Sequence, residues 1–74
     1  MTDGIGERIA EAIRKSGYST GMLAIKTGIS ERTIRWYISG GHQPNAHSLR
    51  ALCIALRVSA DWILGINIEE EKHD

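Results

Sequence analysis

The run from Thr20 to Tyr37, TGMLAIKTGISERTIRWY, constrains the fold of this chain more than any other segment. It predicts two short helices joined by a tight turn at Gly28, because glycine adopts the left-handed conformation that ends a helix at little steric cost. Ser30 follows at the N-cap position of the second helix. The predicted inner faces of the two helices carry Leu23, Ala24, Ile29, Ile34 and Tyr37. The segment therefore predicts two crossed helices around one turn.

The second of these helices exposes a polar, cationic and long-reaching set of side chains, namely Glu31, Arg32, Thr33, Arg35 and Trp36. Such a set suits a helix in the major groove of DNA better than a plain solvated surface. Arg32 is the expected base reader, because the N-terminal part of such a helix enters the groove deepest and arginine pairs bidentately with guanine. Arg35 is expected to reach a base or a phosphate, and Thr33 a thymine methyl group or a phosphate.

Glu31 has more than one interpretation. A glutamate in the first turn stabilises a helix through the helix dipole, whereas in a major groove it accepts a hydrogen bond from a cytosine amino group. Glu31 is also placed to orient Arg32 or Arg35. Trp36 is expected to contact DNA, because Tyr37 lies on the predicted inner face and adjacent residues do not share a helix face. The alternative for Trp36 is a half-exposed position against a neighbouring loop.

Helical spacing of apolar residues continues on both sides of this segment. A first helix is predicted from Gly4 or Ile5 to about Ser16, and the helix that follows the Gly28 turn covers 30–39. The predicted N-caps are, in chain order, Asp3, Ser19, Ser30, Asn45 and Ser59. No segment has a convincing strand pattern. We therefore expect an all-α fold, a compact bundle of about five short helices.

In order and spacing, the stretch from Ser19 to Gly65 resembles the DNA-binding domain of the phage repressor and Cro family of helix-turn-helix proteins. The matching residues are Leu23, Ala24, Gly28, Ile29, Ser30, Thr33, Ile34, Tyr37, Gly40, Pro44, Leu49, Leu52, Leu56, Val58, Ser59, Leu64 and Gly65. The resemblance implies a lambda-repressor-like fold and sequence-specific binding of double-stranded DNA, with the recognition helix 30–39 in the major groove. It implies a transcriptional regulator, expected to be a repressor that acts as a homodimer on a palindromic operator.

The expected DNA-binding residues lie on the second and third helices and on the loop that follows them. They are Ser19, Thr20, Lys26, Ser30, Glu31, Arg32, Thr33, Arg35, Trp36, Gly41, His42 and Gln43. Helix termini and the loop 40–43 are expected to bind phosphates, since a Gly-Gly pair lets backbone N–H groups approach closely. The chain departs from the family pattern in places: Thr20 stands where many members carry a phosphate-contacting glutamine, and Arg57 where many carry glycine.

The charges are distributed unevenly along the chain, although they sum to zero. Between Ser19 and Arg57 the charged residues are Lys26, Arg32, Arg35, Arg50 and Arg57 against Glu31 alone. The last six residues, 69–74, carry Glu69, Glu70, Glu71 and Asp74 against Lys72. We therefore expect a basic DNA-binding domain over 1–68 and an acidic, disordered tail over 69–74.

Several other chemistries find no support in the sequence. The single cysteine, Cys53, excludes an intrachain disulfide and is expected to pack as a small apolar residue. The three histidines lack metal-ligand spacing, and no nucleophile–base pattern suggests catalysis. No apolar run approaches membrane-spanning length, and the N-terminus lacks the apolar stretch of a signal peptide. We expect no enzyme activity, no cofactor, no metal and a reducing, cytoplasmic setting.

The C-terminal part is more apolar than a small domain can cover with its own core. Trp62, Ile63, Ile66 and Ile68 are predicted to form a two-fold homodimer interface. The alternative is that Trp62 folds back on the first or fourth helix of a monomer. A rival function is a protein-interaction or antitoxin-like module on the same fold, using Trp36, Trp62 and 66–68, with weak or no DNA binding.

Overall fold

The structure, a computed structural model, describes residues 4–66, which contain five helices. These are α1 (Ile5–Ser16), α2 (Thr20–Thr27), α3 (Glu31–Ser39), α4 (Ala46–Leu56) and α5 (Ala60–Leu64). None of the residues 4–66 belongs to a strand, so the predicted all-α fold of five short helices is confirmed. The predicted tail 69–74, Ile68 and the predicted cap Asp3 lie outside the described residues.

The helix starts are set by local side-chain caps, as predicted for four of the five helices. The Ser19, Ser30 and Ser59 hydroxyls accept hydrogen bonds from the N–H groups three residues later, at 3.0, 3.1 and 3.0 Å. Asn45 does the same through its amide oxygen at 2.8 Å. These caps satisfy donors that the first turn of a helix leaves without a partner. For α1 the cap position is Gly4, whose φ is 80° and which makes no side-chain cap.

Gly28 ends α2 in the left-handed conformation, with a φ of 76°, and its N–H donates to the Ala24 carbonyl at 2.8 Å. A side chain at this position would therefore be strained even though no neighbour lies within 4 Å of its Cβ. The predicted turn is confirmed. It brings α3 across α2, so the two helices form a helix-turn-helix unit.

The core lies between α1 and the other helices. Its buried side chains come from all five helices: Ile9, Ala12, Ile13, Leu23, Ile34, Tyr37, Leu52, Leu56 and Ile63. α1 packs on α3, α4 and α5, while α2 lies between α3 and α4. Ile63 is wholly buried, so its predicted place in a pairing surface is wrong. It is buried because α5 turns this side chain, rather than Trp62, into the core of its own chain.

α1 approaches the end of α3 through Gly6. A Cβ added at Gly6 would overlap the Tyr37 carbonyl oxygen and lie 2.7 Å from the Ile38 carbonyl oxygen. Both atoms belong to the backbone, which cannot rotate away as a flexible side chain would. Gly6 therefore fixes how closely α1 supports the helix that carries the exposed arginines.

Arg57 ends α4 in a conformation that glycine usually takes. Among residues 4–66 it is the one non-glycine residue with a positive φ, at 60°. Such a conformation is strained for a side-chain-bearing residue. The departure from the family's glycine at this position therefore carries an energetic penalty.

Replacing Arg57 by Gly is expected to raise the free energy of unfolding by up to about 1 kcal/mol, because the backbone strain is relieved. Arg57→Ala is the matched control, since it removes the same side chain but keeps a Cβ in the strained conformation. Urea unfolding of the three proteins measures the effect. Equal stabilities for the Gly and Ala variants would mean that the φ at this position stores no strain.

Candidate nucleic-acid interface

The outward face of α3 presents Arg32, Arg35 and Trp36 to solvent, while Ile34 and Tyr37 anchor the helix in the core. Trp36 is 47% exposed, which is high for so large an apolar side chain. Ser30 fixes the start of the helix, because its hydroxyl accepts from the Thr33 N–H and donates to the Thr33 hydroxyl at 2.8 Å. The N-terminal half of α3 is thus held firmly while its long side chains point outward.

Glu31 joins α2 to α3. Its Oε2 atom accepts a hydrogen bond from the Thr20 hydroxyl at 2.8 Å and pairs with the Arg35 guanidinium at 3.1 Å. Of the interpretations left open by the sequence, the structure therefore shows the orientation of Arg35. Thr20, expected at a phosphate, directs its hydroxyl to this carboxylate. The contact was missed because no sequence pattern relates two residues at the starts of different helices.

An exposed platform is formed by three side chains in contact, Arg32, Trp36 and His42. The Arg32 guanidinium carbon lies 5.1 Å from the centre of the Trp36 ring, within the range of a cation–π contact. The His42 ring is 5.9 Å from that of Trp36, and it stacks at 12° on the Tyr37 ring with their centres 6.1 Å apart. The loop after α3 therefore supports Trp36, which in turn holds Arg32.

The loop glycines use their N–H groups within the protein. Gly40 donates to the Tyr37 carbonyl at 3.2 Å, and Gly41 donates to the Trp36 carbonyl at 3.1 Å. Both bonds close the C-terminal end of α3. The Gly41 N–H thus already has a partner within the protein, and its expected phosphate contact stays a prediction. In this loop, His42 and Gln43 are exposed beside the platform.

The remaining predicted DNA-binding residues divide between two surfaces. Ser19 caps the N-terminus of α2. The next residue, Thr20, is hydrogen-bonded to Glu31, so this end of α2 lies beside α3. Lys26 lies at the other end of α2, with its ammonium 5.2 Å from the centre of the Tyr18 ring. It lines a groove together with Arg50 and Arg57 and with no residue of α3. The structure therefore does not bring Lys26 together with the platform.

The end of α5 carries the apolar residues that remain exposed. Trp62, Leu64 and Ile66 are 38%, 37% and 46% exposed. Trp62 lines a shallow groove together with Leu56, Val58 and residues of α1, so part of this side chain lies against its own domain. α5 is held on α1 by the Arg8 Nε atom, which donates to the Ile63 carbonyl at 2.8 Å.

The structure gives no sign of a catalytic or metal centre in the part of the chain that it describes. Cys53 is half-buried, and burial raises the pKa of its thiol, which favours the neutral form over a nucleophilic thiolate. Residues 4–66 contain no group of three histidine, cysteine or acidic side chains placed to hold a metal ion. Within the same range, no helix has the length and apolar character needed to cross a membrane.

Comparisons with known proteins agree with this geometry. The family described as Helix-turn-helix matches residues 9–63. Among solved structures, the chain is similar to the P22 c2 repressor protein, crystallised in complex with synthetic operator 9T in the presence of Tl+. That match has a TM-score of 0.80 and 30% sequence identity, and it covers 85% of this chain and 96% of that one. A search of curated protein sequences found no match.

The fold and the exposed face of α3 define a helix-turn-helix protein. The chain belongs to the phage repressor and Cro-like family of helix-turn-helix proteins. This is a family of DNA-binding regulators, not a class of enzymes.

Proposed function

We propose that this chain is a transcriptional repressor that binds double-stranded DNA sequence-specifically, with α3 in the major groove. The observation that carries the proposal is the outward platform of Arg32, Trp36 and His42 on a helix whose other face is locked in the core. The operator complex of the similar P22 c2 repressor supports it. Repression here means occupancy of an operator in the cytoplasm, without catalysis.

In this proposal, different side chains contact the bases and the phosphates. Arg32 reads a base edge, because it lies in the first turn of α3 and is held by Trp36 rather than by a carboxylate. Arg35, paired with Glu31 in the free protein, reaches a phosphate when DNA competes for its guanidinium. The N-terminus of α2, at Ser19 and Thr20, and the loop side chains His42 and Gln43 set the position on the backbone.

Salt dependence of duplex binding tests this function against a protein-interaction module. We expect the affinity for a duplex to fall steeply as salt rises, because each neutralised phosphate releases counterions. Fluorescence anisotropy with a labelled duplex measures the slope, and Arg35→Ala should reduce it by about one unit. Affinity that does not change with salt would contradict the proposal, whereas an Arg35→Ala slope equal to the original would show that Arg35 does not contact a phosphate.

Replacing Glu31 by Gln separates its two remaining roles. If Glu31 only orients Arg35, the variant should bind all duplexes a few times more tightly at low salt, since a carboxylate that repels phosphates is removed. The amide oxygen can still accept from the Thr20 hydroxyl, so the α2–α3 contact is kept. A loss of affinity confined to sites with one particular base pair would instead show that Glu31 reads a cytosine.

The proposed repressor acts as a homodimer through Trp62, Leu64 and Ile66. These side chains leave an apolar surface at the end of α5, and two-fold pairing there suits a palindromic operator with recognition helices roughly 34 Å apart. Ile63 takes no part, and Ile68 stays a prediction.

Sedimentation velocity, with and without a palindromic duplex, tests the pairing. Ile66→Glu should shift the protein toward monomer and weaken duplex binding, because a charge is placed in an apolar interface. Ile25→Glu is the matched control, since Ile25 is 86% exposed on α2, away from α5, and should leave assembly unchanged. One copy per duplex for the unmodified protein would refute the dimer.

A further inference from the structure

A second cationic surface lies outside the DNA-reading face, in an open groove between α2 and α4. Lys26, Arg50 and Arg57 line it, together with the Tyr18 ring and Ile54. None of its lining residues is a carboxylate. α2 packs on both α3 and α4, and no residue of α3 lines the groove. The proposed function makes no use of this surface.

The groove combines positive charge with an exposed apolar side chain. Ile54 is 61% exposed in its wall. Arg57 holds its strained left-handed conformation at one end of the groove, where a glycine would relieve the strain. None of the three cations forms an ion pair with a carboxylate of residues 4–66. The groove therefore suits a ligand that carries carboxylates beside an apolar side chain.

The chain itself contains a segment with that character. Ile68 is followed by Glu69, Glu70 and Glu71, and the last six residues carry a formal charge of three negative. An apolar residue followed by carboxylates matches a wall containing Ile54 beside three cations. The segment and the groove therefore carry opposite charges.

The segment is long enough to reach the groove. Ile66 follows Arg57 by nine positions, and most of the residues between them are coiled in α5, so the two Cα atoms lie within about 20 Å. The five residues from Asn67 to Glu71 have a maximum reach of about 17 Å. The long glutamate and arginine side chains cover the rest of the distance.

We propose that the acidic segment Glu69–Asp74 docks in the α2–α4 groove of its own chain and neutralises Lys26, Arg50 and Arg57. Exposed ion pairs are weak and are screened by salt, so the docked form is in equilibrium with an undocked one. Docking covers these cations, which would otherwise attract nucleic acid to the groove instead of to the exposed face of α3. The proposal does not depend on the identity of the operator.

A spin label on the tail tests the docking directly. The protein carries Cys53→Ala, and His73→Cys supplies the labelling site without removing an acidic residue; a well-dispersed NMR spectrum establishes that it is folded. We expect the nitroxide to broaden the amide signals of Tyr18, Arg50 and Ile54 more than those of Glu11 and Trp62, which line the groove between α1 and α5. The difference should vanish at about 1 M salt, where the Debye length is about 3 Å.

Charge reversal supplies the specific control. The double variant Arg50→Glu, Arg57→Glu should lose the selective broadening, whereas Arg14→Glu, which reverses an exposed cation on α1, should keep it. A mixture of spin-labelled protein and isotope-labelled protein without a spin label should show no selective broadening. Broadening in that mixture, broadening that survives the double reversal, or broadening spread evenly over the domain would each overturn the proposal.

Discussion

Arg32→Ala is expected to weaken binding to a selected duplex by about 5- to 150-fold, equivalent to 1–3 kcal/mol, and to remove the preference at one base pair. The reason is geometric, because Arg32 projects from the first turn of α3 and its guanidinium lies over the Trp36 ring. Competition binding against duplexes substituted at each position measures both effects. A preference that stays unchanged at every position would show that Arg32 is not a base reader.

Trp36 supplies the control for this prediction, since it is expected to act partly through Arg32. Trp36→Ala should lose part of the same specificity, whereas Trp36→Phe, which keeps an aromatic face, should lose less. Combining Trp36→Ala with Arg32→Ala should cost less than the sum of the two single effects, because the residues are in contact. Fully additive losses would mean that the two side chains act independently.

Gly6→Ala is expected to destabilise the domain by about 1–3 kcal/mol, because the new methyl group is forced against backbone carbonyl oxygens of α3. Helix propensity alone predicts the opposite sign, since alanine is favoured over glycine in a helix by up to about 1 kcal/mol, and Gly6 is the second residue of α1. Urea unfolding measures the change in the free energy of unfolding. Duplex affinity should fall with it if α1 sets the position of α3.

Gly21→Ala is the matched control. Gly21, like Gly6, is the second residue of its helix, but a Cβ there would be 3.6 Å from its nearest neighbour, an ordinary contact. This substitution should therefore stabilise the domain by up to about 1 kcal/mol. Equal stabilisation by both substitutions would contradict the close approach of α1 to α3.

The features that could be predicted from the sequence are those set by local rules. The caps at Ser19, Ser30, Asn45 and Ser59 and the turn at Gly28 each depend on a few consecutive residues, and all of them are present in the structure. Helical periodicity predicted Leu23, Ile34 and Tyr37 as core residues, and all three are buried. The fold followed because the order of these local signals allows few arrangements of five short helices.

The features that were missed or wrong depend on packing between distant residues. Neither the hydrogen bond from Thr20 to Glu31 nor the close approach of Gly6 to α3 leaves a periodic signal in the sequence. On α5, composition predicted an apolar surface but not which side chain faces inward. Ile63 turned out to be core, while Trp62 stays partly exposed, because the direction of a helix of five residues is set by its contacts with α1 and α4.

Selection of bound sequences from a random duplex library is the sharpest test of α3 as a recognition helix, because every possible operator competes in the same experiment. Unmodified protein should enrich a two-fold symmetric motif whose half-sites lie about one helical turn apart, roughly 10–10.5 base pairs from centre to centre, or a multiple of it. The same selection with Arg32→Ala should return the motif with one position per half-site relaxed. A library that remains random after repeated selection at low salt would contradict the account of α3 as a recognition helix.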